Sequence, residues 1–532
     1  MSKRSAYKPL LFTTTIRNPK RTKLLLNILN KYNGEILTNK LAVKVMGELV
    51  RFGLYRPVKG LSNRIIEKWG SKKISDKSVI GNELLSNEDT DELLNNNPQK
   101  HKETGFDYGW PSRFATVFDF AKELGFVYYS IGKNIEFSEI GLMLVNSIEI
   151  NVSENYISVA ELNPEFEQHA FLNAFVKYQR SNPFRSVLNK NAPLLLLLEV
   201  INKLNLDEDL NNSGISKLEL PLIIYWKDNN ANDLYLRIKK LREDYGYSPS
   251  WEIISDICRN EIMEGRDIVR NNKSIMVDYP DEFIRKMRLT GLITLRGGGR
   301  FIDINRNEKR KIDYILKKYS TYNQYSSEED YFRYISSIDK NLVSYESKHI
   351  TLSEKKKYID KWVEVYSWNE IKYEMLNLAN NRLSKDKILK YLSGPVRLEF
   401  LTALAVKKKY PKISVVPNYP IDDEGIPTST AGGSGNQGDI ECFEDLNAIL
   451  IEVTMSSGRT QTIMEVWPIK RHLKQFSVEK DNTMCYFIAP TIYEDSFDQI
   501  QYVRDKDNLN IVPKSIKEFI DHLELTKELF IE

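Results

Sequence analysis

Apolar residues recur at helical spacing through most of the chain before residue 410, and at strand spacing only in short runs. Leu24, Leu25, Leu26, Ile28 and Leu29 form one side of a helix that Asn18-Pro19 would start, since proline suits the first helical position. A second helix runs through Leu41 to Phe52. After a Ser-, Asn-, Asp- and Lys-rich connection over 72–104, Phe114, Val117, Phe118, Ala121 and Leu124 predict a helix from Pro111 that stops at Gly125. FVYYS, a GKN turn and IEFS follow as two short strands.

Further helices are expected over 166–179, 193–204, 217–226 and 231–245. The segment PDEFIRKMRLTGLITLRGGGRFIDIN then repeats the order helix, glycine, strand, tight turn, strand, with Asp281 as the expected cap. Helix followed by a two-stranded wing is a winged-helix-like order, suited to a helix in the major groove and a wing on the backbone. Arg113 and Lys133 in the first copy would then face DNA. In the second, Arg285, Lys286, Arg288, Arg296 and Arg300 make a denser basic set. Such modules also dock proteins. Residues 307–393 are polar, Tyr- and Lys-rich and helical in pattern, with amphipathic stretches over 331–338 and 355–378, and read as a helical linker or a helical part of the following domain.

From Ser393 the pattern changes. Ser393 is placed to cap a helix, Pro395 to enter its first turn, and Leu398, Leu401, Leu404 and Ala405 to form its buried stripe. KISVVPNYP reads as a strand, TAGGSGNQG as a loop, and DIECFE and AILIEV as period-two strands about a turn at 445–447. A helix is expected over 460–479, then a strand in TMCYFIAP, a helix, a short NIVP strand and a helix.

An antiparallel return at 445–447 would bring Asp439 and Glu452 to one edge of a sheet. Two carboxylates about 5 Å apart repel by roughly 3 kcal/mol at an effective dielectric near 20, so a cation or a shared proton is expected between them. Mg²⁺ takes one or two carboxylates and completes its octahedron with water and phosphate oxygens, which suits phosphodiester hydrolysis.

Composition narrows the setting. With 532 residues, three or four domains are expected. Lys+Arg 76 against Asp+Glu 73 gives a net charge of only +3, so a nucleic-acid face would have to come from local clustering. Cys258, Cys442 and Cys485 form no CxxC pair, which implies a reducing, cytoplasmic setting without disulfides or zinc. The apolar block at Leu194–Leu198 is too short to span a membrane.

The GNQ-x-D run (Gly435 to Asp439), EVT (Glu452 to Thr454), SxGxTQ (Ser456 to Gln461) and the series Met464, Glu465, Pro468, Arg471, His472 resemble the PD-(D/E)xK nuclease core. Together with FTTTIRNPKR (Phe12 to Arg21), they resemble the AlwI family of type IIS restriction endonucleases, which has strand-nicking relatives. The resemblance implies Asp439, Glu452, the Val453 carbonyl and the helical Glu399 as Mg²⁺ ligands, with Glu465 and His472 as further catalytic groups. The usual lysine of the motif is absent, since Val453 and Thr454 follow Glu452, and the candidates for its role are His472, Glu465 as a base or an outer partner of the metal site, and Thr454 positioning water.

The expected architecture is a multidomain α/β chain. Winged-helix-like DNA-recognition subdomains occupy 1–160 and 161–306, a helical linker 307–392, and a restriction-endonuclease-like α/β/α domain 393–532. The expected activity is Mg²⁺-dependent cleavage of duplex DNA a few nucleotides outside a short asymmetric site. Cutting both strands would call for a transient homodimer, a second subunit or two successive attacks. A strand-specific nickase and a DNA-binding regulator with an impaired nuclease fold are the alternatives.

Overall fold

The computed structural model describes residues 19–57, 61–69, 84–152, 157–210, 214–266, 272–345, 347–431, 437–444, 446–456, 458–478, 480 and 482–530. Phe12 to Asn18 of the Phe12–Arg21 opening lie outside them, as do Gly435, Asn436 and Asp445 of the central hairpin region. The chain divides into two compact units, residues 1–157 with 166–347, and residues 158–165 with 348–532. No helix among the described residues is long and apolar enough to cross a membrane.

The first unit is mainly helical. Its first two long helices span Thr22–Asn30 and Asn39–Arg51, and Thr38 Oγ1 caps the second by accepting from Leu41 N at 3.1 Å. The connection expected over 72–104 is more ordered than its composition suggests: 70–83 lie outside the described residues, but a helix occupies Asn87–Asn96. Ser86 caps that helix, which buries Leu93 and holds the buried Asp89 against Lys68 at 3.2 Å. The cap and the packing of Leu93 with Val50, Ile65 and Leu85 order a segment whose average composition shows only polarity.

The helix Trp110–Glu123 ends at Gly125, whose φ of +75° favours glycine, and Val127–Tyr128 pairs antiparallel with Glu136–Phe137. The next helix, Glu139–Val145, approaches so closely that a Cβ on Gly141 would lie 1.9 Å from the Phe126 carbonyl oxygen. Further along, the helix Tyr279–Arg288 leads into the antiparallel strands Ile293–Arg296 and Phe301–Ile304. This helix starts at Tyr279, so Asp281 sits inside its first turn and does not cap it. A third strand unmarked in the sequence, Ile215–Ser216, pairs with Phe301–Ile304.

In the second unit the amphipathic stretch over 355–378 becomes two helices, α1 (Leu352–Val365) and α2 (Trp368–Ala379). Each opens with a reciprocal cap, Thr351 with Glu354 and Ser367 with Glu370, and the second cap interrupts the run. Helix α3 (Gly394–Lys409) follows, with Ser393 at its N-cap position but without a capping side-chain hydrogen bond.

Five strands then form one sheet: β1 (Ser414–Pro417), β2 (Ile440–Glu444), β3 (Asn447–Val453), β4 (Asn482–Ala489) and β5 (Ile511–Ser515), in the spatial order β5-β4-β3-β2-β1. β3, β4 and β5 run parallel, whereas β2 is antiparallel to both β3 and β1. Between β3 and β4, the single helix expected over 460–479 is broken into α4 (Arg459–Met464) and α5 (Val466–Phe476), with Glu465 at the joint. Pro468 has no N–H to return to the Met464 carbonyl, which accounts for the break. Helices α6 (Glu494–Asp507) and α7 (Ile516–Leu525) complete the unit.

Ala448, Leu450, Cys485 and Phe487 on one face of the sheet pack with Val466, Ile469 and Leu473 of α5 and Ile500 and Val503 of α6. Helices α3 and α7 also contact the sheet and each other.

Candidate active site

Side chains alternate along β3, so Glu452, two residues beyond Leu450, shares the face covered by α5. Ile440 pairs with Ile451, and continuing that register by one residue sets Asp439 opposite Glu452. Asp439 Oδ2 accepts from Val453 N at 2.8 Å. Its own backbone oxygen accepts from Asn418 N at 2.9 Å, while the Asn418 amide donates to Gly438 O at 2.7 Å. Gly438 must be small: a Cβ there would stand 2.6 Å from Glu452 Oε1 and 2.5 Å from Leu450 Cδ1.

Glu399 of α3 reaches the same place. It is only 3% exposed and accepts from Ala431 N at 2.9 Å, although helical spacing alone would have put it at the surface. Glu465, at the joint of α4 and α5, takes two hydroxyl donors on Oε1, Thr454 Oγ1 at 2.7 Å and Ser456 Oγ at 2.8 Å. From α5, His472 Nδ1 stands 2.8 Å from Glu452 Oε1.

These carboxylates disturb one another. Burial pushes Glu399, Asp439 and Glu452 well above the ordinary carboxylate range, and mutual repulsion adds to it: Asp439 and Glu452 act on Glu399, Glu452 and Glu465 on Asp439, and Glu465 on Glu452. Glu465 is raised by burial but drawn back by its two hydroxyl donors and by His472. Burial and the neighbouring Arg471 lower the His472 imidazole, so its neutral form is favoured.

Thus Glu399, Asp439, Glu452, Val453, Glu465 and His472 come together. Ser456, named in the sequence only as the start of the SxGxTQ motif, joins them, as do Gly438, an unspecified position of the GNQ-x-D run, and Asn418, which no motif marked; their partners are backbone groups and carboxylates distant in the chain. Among the described residues no three His, Cys, Asp or Glu side chains already stand in metal-holding geometry.

The basic candidates all belong to the first unit. Arg113 donates from Nε to Gln99 Oε1 at 2.8 Å and lies over the Tyr55 ring. Lys133 is exposed and pairs with Glu329 at 2.5 Å. Arg285 and Arg288 are half-buried on their helix, and Lys286 is buried against Glu282 at 3.0 Å. Arg296 Nε donates to the fully buried Asp303 at 2.6 Å, whereas Arg300 at the hairpin turn is exposed.

The profile of the AlwI restriction endonuclease family matches residues 122–352 and 328–522. The chain belongs to the AlwI restriction endonuclease family. As a member of a restriction endonuclease family it is a DNA-binding nuclease. The second matched stretch of this AlwI-family chain contains every member of the acidic cluster and His472; the first contains Lys133 and the 279–304 helix and hairpin, but Arg113 lies before it.

Solved structures similar to this AlwI-family member include the small subunit of the heterodimeric restriction endonuclease R.BspD6I, 22% identical over 30% of this chain and 82% of that one, with a TM-score of 0.23. The BpuJ1 endonuclease binding domain in complex with modified DNA is 15% identical, over 62% of this chain and 100% of that one, with a TM-score of 0.31. The restriction endonuclease FokI is 10% identical, over 98% of this chain and 96% of that one, with a TM-score of 0.26. At such scores these likenesses add nothing to the family assignment. No curated protein matches the chain.

Proposed function

We propose that this chain is a Mg²⁺-dependent type IIS restriction endonuclease, reading a short asymmetric duplex site with its first unit and hydrolysing phosphodiester bonds a few nucleotides away with its second. The convergence of Asp439 and Glu452, backed by Glu399 and Glu465, carries the reading. Buried like charges held together at this density call for a cation, and an all-oxygen donor set suits a hard one.

Asp439, Glu452, Glu399 and the Val453 carbonyl would hold magnesium. When bound, the ion supplies Lewis-acid polarisation of the phosphate and acidifies a water ligand. The protein's own groups do the rest. The Val453 N–H fixes one Asp439 oxygen, and the His472 ring orients Glu452. Glu465, kept ionisable by the Thr454 and Ser456 hydroxyls, is the proton acceptor where most sites of the PD-(D/E)xK superfamily carry lysine.

For recognition, the helix–hairpin segments over 110–137 and 279–304 serve as winged-helix-like readers. Arg285, Arg288 and Arg300, with Arg113 and Lys133 from the first segment, contact DNA, and Arg296 meets it while bracing the hairpin through Asp303. One site per chain cuts one strand at a time. Double-strand scission then requires a second copy or subunit, and otherwise the product is a nick.

The lysine missing after Glu452 favours a second reading, a regulator that binds DNA without cutting. Incubating supercoiled plasmid libraries with Mg²⁺ and sequencing the ends separates the two. Site-specific ends from wild type that vanish in Asp439→Ala with binding kept support the enzyme. Binding without cleavage in both supports the regulator.

A further inference from the structure

Gln461 has no solvent exposure, yet its amide is fully engaged by backbone groups of two different loops. Nε2 donates to Ser456 O at 2.9 Å, in the segment leaving β3, and to Thr491 O at 2.6 Å, in the segment leaving β4. Oε1 accepts from Tyr493 N at 3.0 Å, just before α6. Two carbonyls and one N–H surround it, so only this orientation of the amide satisfies all three. The carboxyl ends of adjacent parallel strands are where open α/β sheets place their ligand sites, and Gln461 sets the spacing of the loops there.

Its reach extends to the acidic cluster through Ser456. The Ser456 carbonyl is held by Gln461, and the same residue's hydroxyl is on Glu465 Oε1. Thr454 Oγ1 contacts both Ser456 Oγ, at 2.9 Å, and Glu465 Oε1. The fixed geometry of Glu465 therefore depends on where the 454–456 segment lies, and Gln461 is the buried side chain that ties this segment to its neighbour.

We infer that Gln461 is a positioning residue for cleavage: by joining the loops that leave β3 and β4 it holds the Thr454 and Ser456 hydroxyls on Glu465. This rests on the reading of Glu465 as part of the cleavage site.

The test is a double-mutant cycle on the full chain, with a duplex oligonucleotide carrying the mapped cleavage site and magnesium. Gln461→Ala should lower kcat roughly 10- to 100-fold, the usual cost of losing an outer positioning partner, with KM and the DNA dissociation constant unchanged. In a Glu465→Gln background the same substitution should cost less than about twofold, because coupled residues are not additive. Ser456→Ala, which removes one hydroxyl and leaves the buried amide in place, should show the same dependence on Glu465 should Gln461→Ala fold poorly. Equal losses in both backgrounds would overturn the inference, assigning Gln461 to general stability. Wild-type cleavage by Glu465→Gln alone would instead remove the underlying reading of Glu465, and the inference with it.

Discussion

His472 Nδ1 and Glu452 Oε1 stand 2.8 Å apart, joining helix α5 to the end of strand β3. In the tautomer that carries its proton on Nδ1, the ring donates to Glu452 Oε1 and sets the orientation of that side chain. His472→Ala is expected to slow single-turnover cleavage roughly 10- to 100-fold while duplex affinity stays the same. A matching loss of affinity in fluorescence anisotropy would place His472 on the DNA instead.

Asp439→Asn tests the cluster as a seat for a cation. The substitution keeps an acceptor for the Val453 N–H but removes one charge from a repelling group. In EDTA at neutral pH the variant should melt above wild type. Added Mg²⁺ should raise the wild-type melting temperature and leave the variant's unmoved, because only a ligand that binds the folded state stabilises it. Cleavage should be lost. Identical magnesium shifts in scanning fluorimetry would refute the site.

Arg296 and Arg300 flank the same glycine turn but should behave differently. Arg296→Ala strips the cationic partner from the fully buried Asp303, leaving it the Asn205 amide and the Ile304 N–H, and should destabilise the first unit by about 3 kcal/mol in urea titration. Arg300→Ala should leave stability intact. If Arg300 meets a phosphate, the salt dependence of duplex binding should flatten by about 0.9 in log-log slope; an unchanged slope excludes it.

Asp119 supplies a pH test in the first unit. Burial, with Glu123 and Glu103 nearby, pushes its carboxyl from an ordinary value near 3.8 up to about 7. Between those values the folded chain keeps a proton that the unfolded chain releases. Stability from this group is therefore complete below 3.8 and declines as pH rises to about 7. Asp119→Asn keeps an acceptor for the Tyr129 hydroxyl, 3.2 Å away. Its melting temperature should match wild type near about pH 4, exceed it increasingly toward neutrality, and hold a constant lead above. A constant lead across the whole range would contradict the shift.

Local pattern carried much of this protein. Period-two runs marked β2 and β3, and their short connection required an antiparallel return, which is why Asp439 and Glu452 could be paired from the sequence. The same local logic marked the helices at Trp110–Glu123, Ala231–Tyr245 and Gly394–Lys409. Tertiary structure decided what depends on partners distant in the chain. Glu399 sits at a position that helical spacing leaves to solvent, yet it is buried and accepts from the backbone N–H of Ala431, 32 residues away. Lys286 looks like one more exposed cation and is buried against Glu282, and Arg296 is held by an aspartate across its own hairpin. Gln461 lay within a family motif, but its three backbone partners belong to loops 5 to 32 residues away. Hydrophobic period reports which face of an element is apolar, because burial of that face drives local folding. Which polar groups end up facing one another is set only when strands and helices from separate stretches close around them, and no local spacing encodes that.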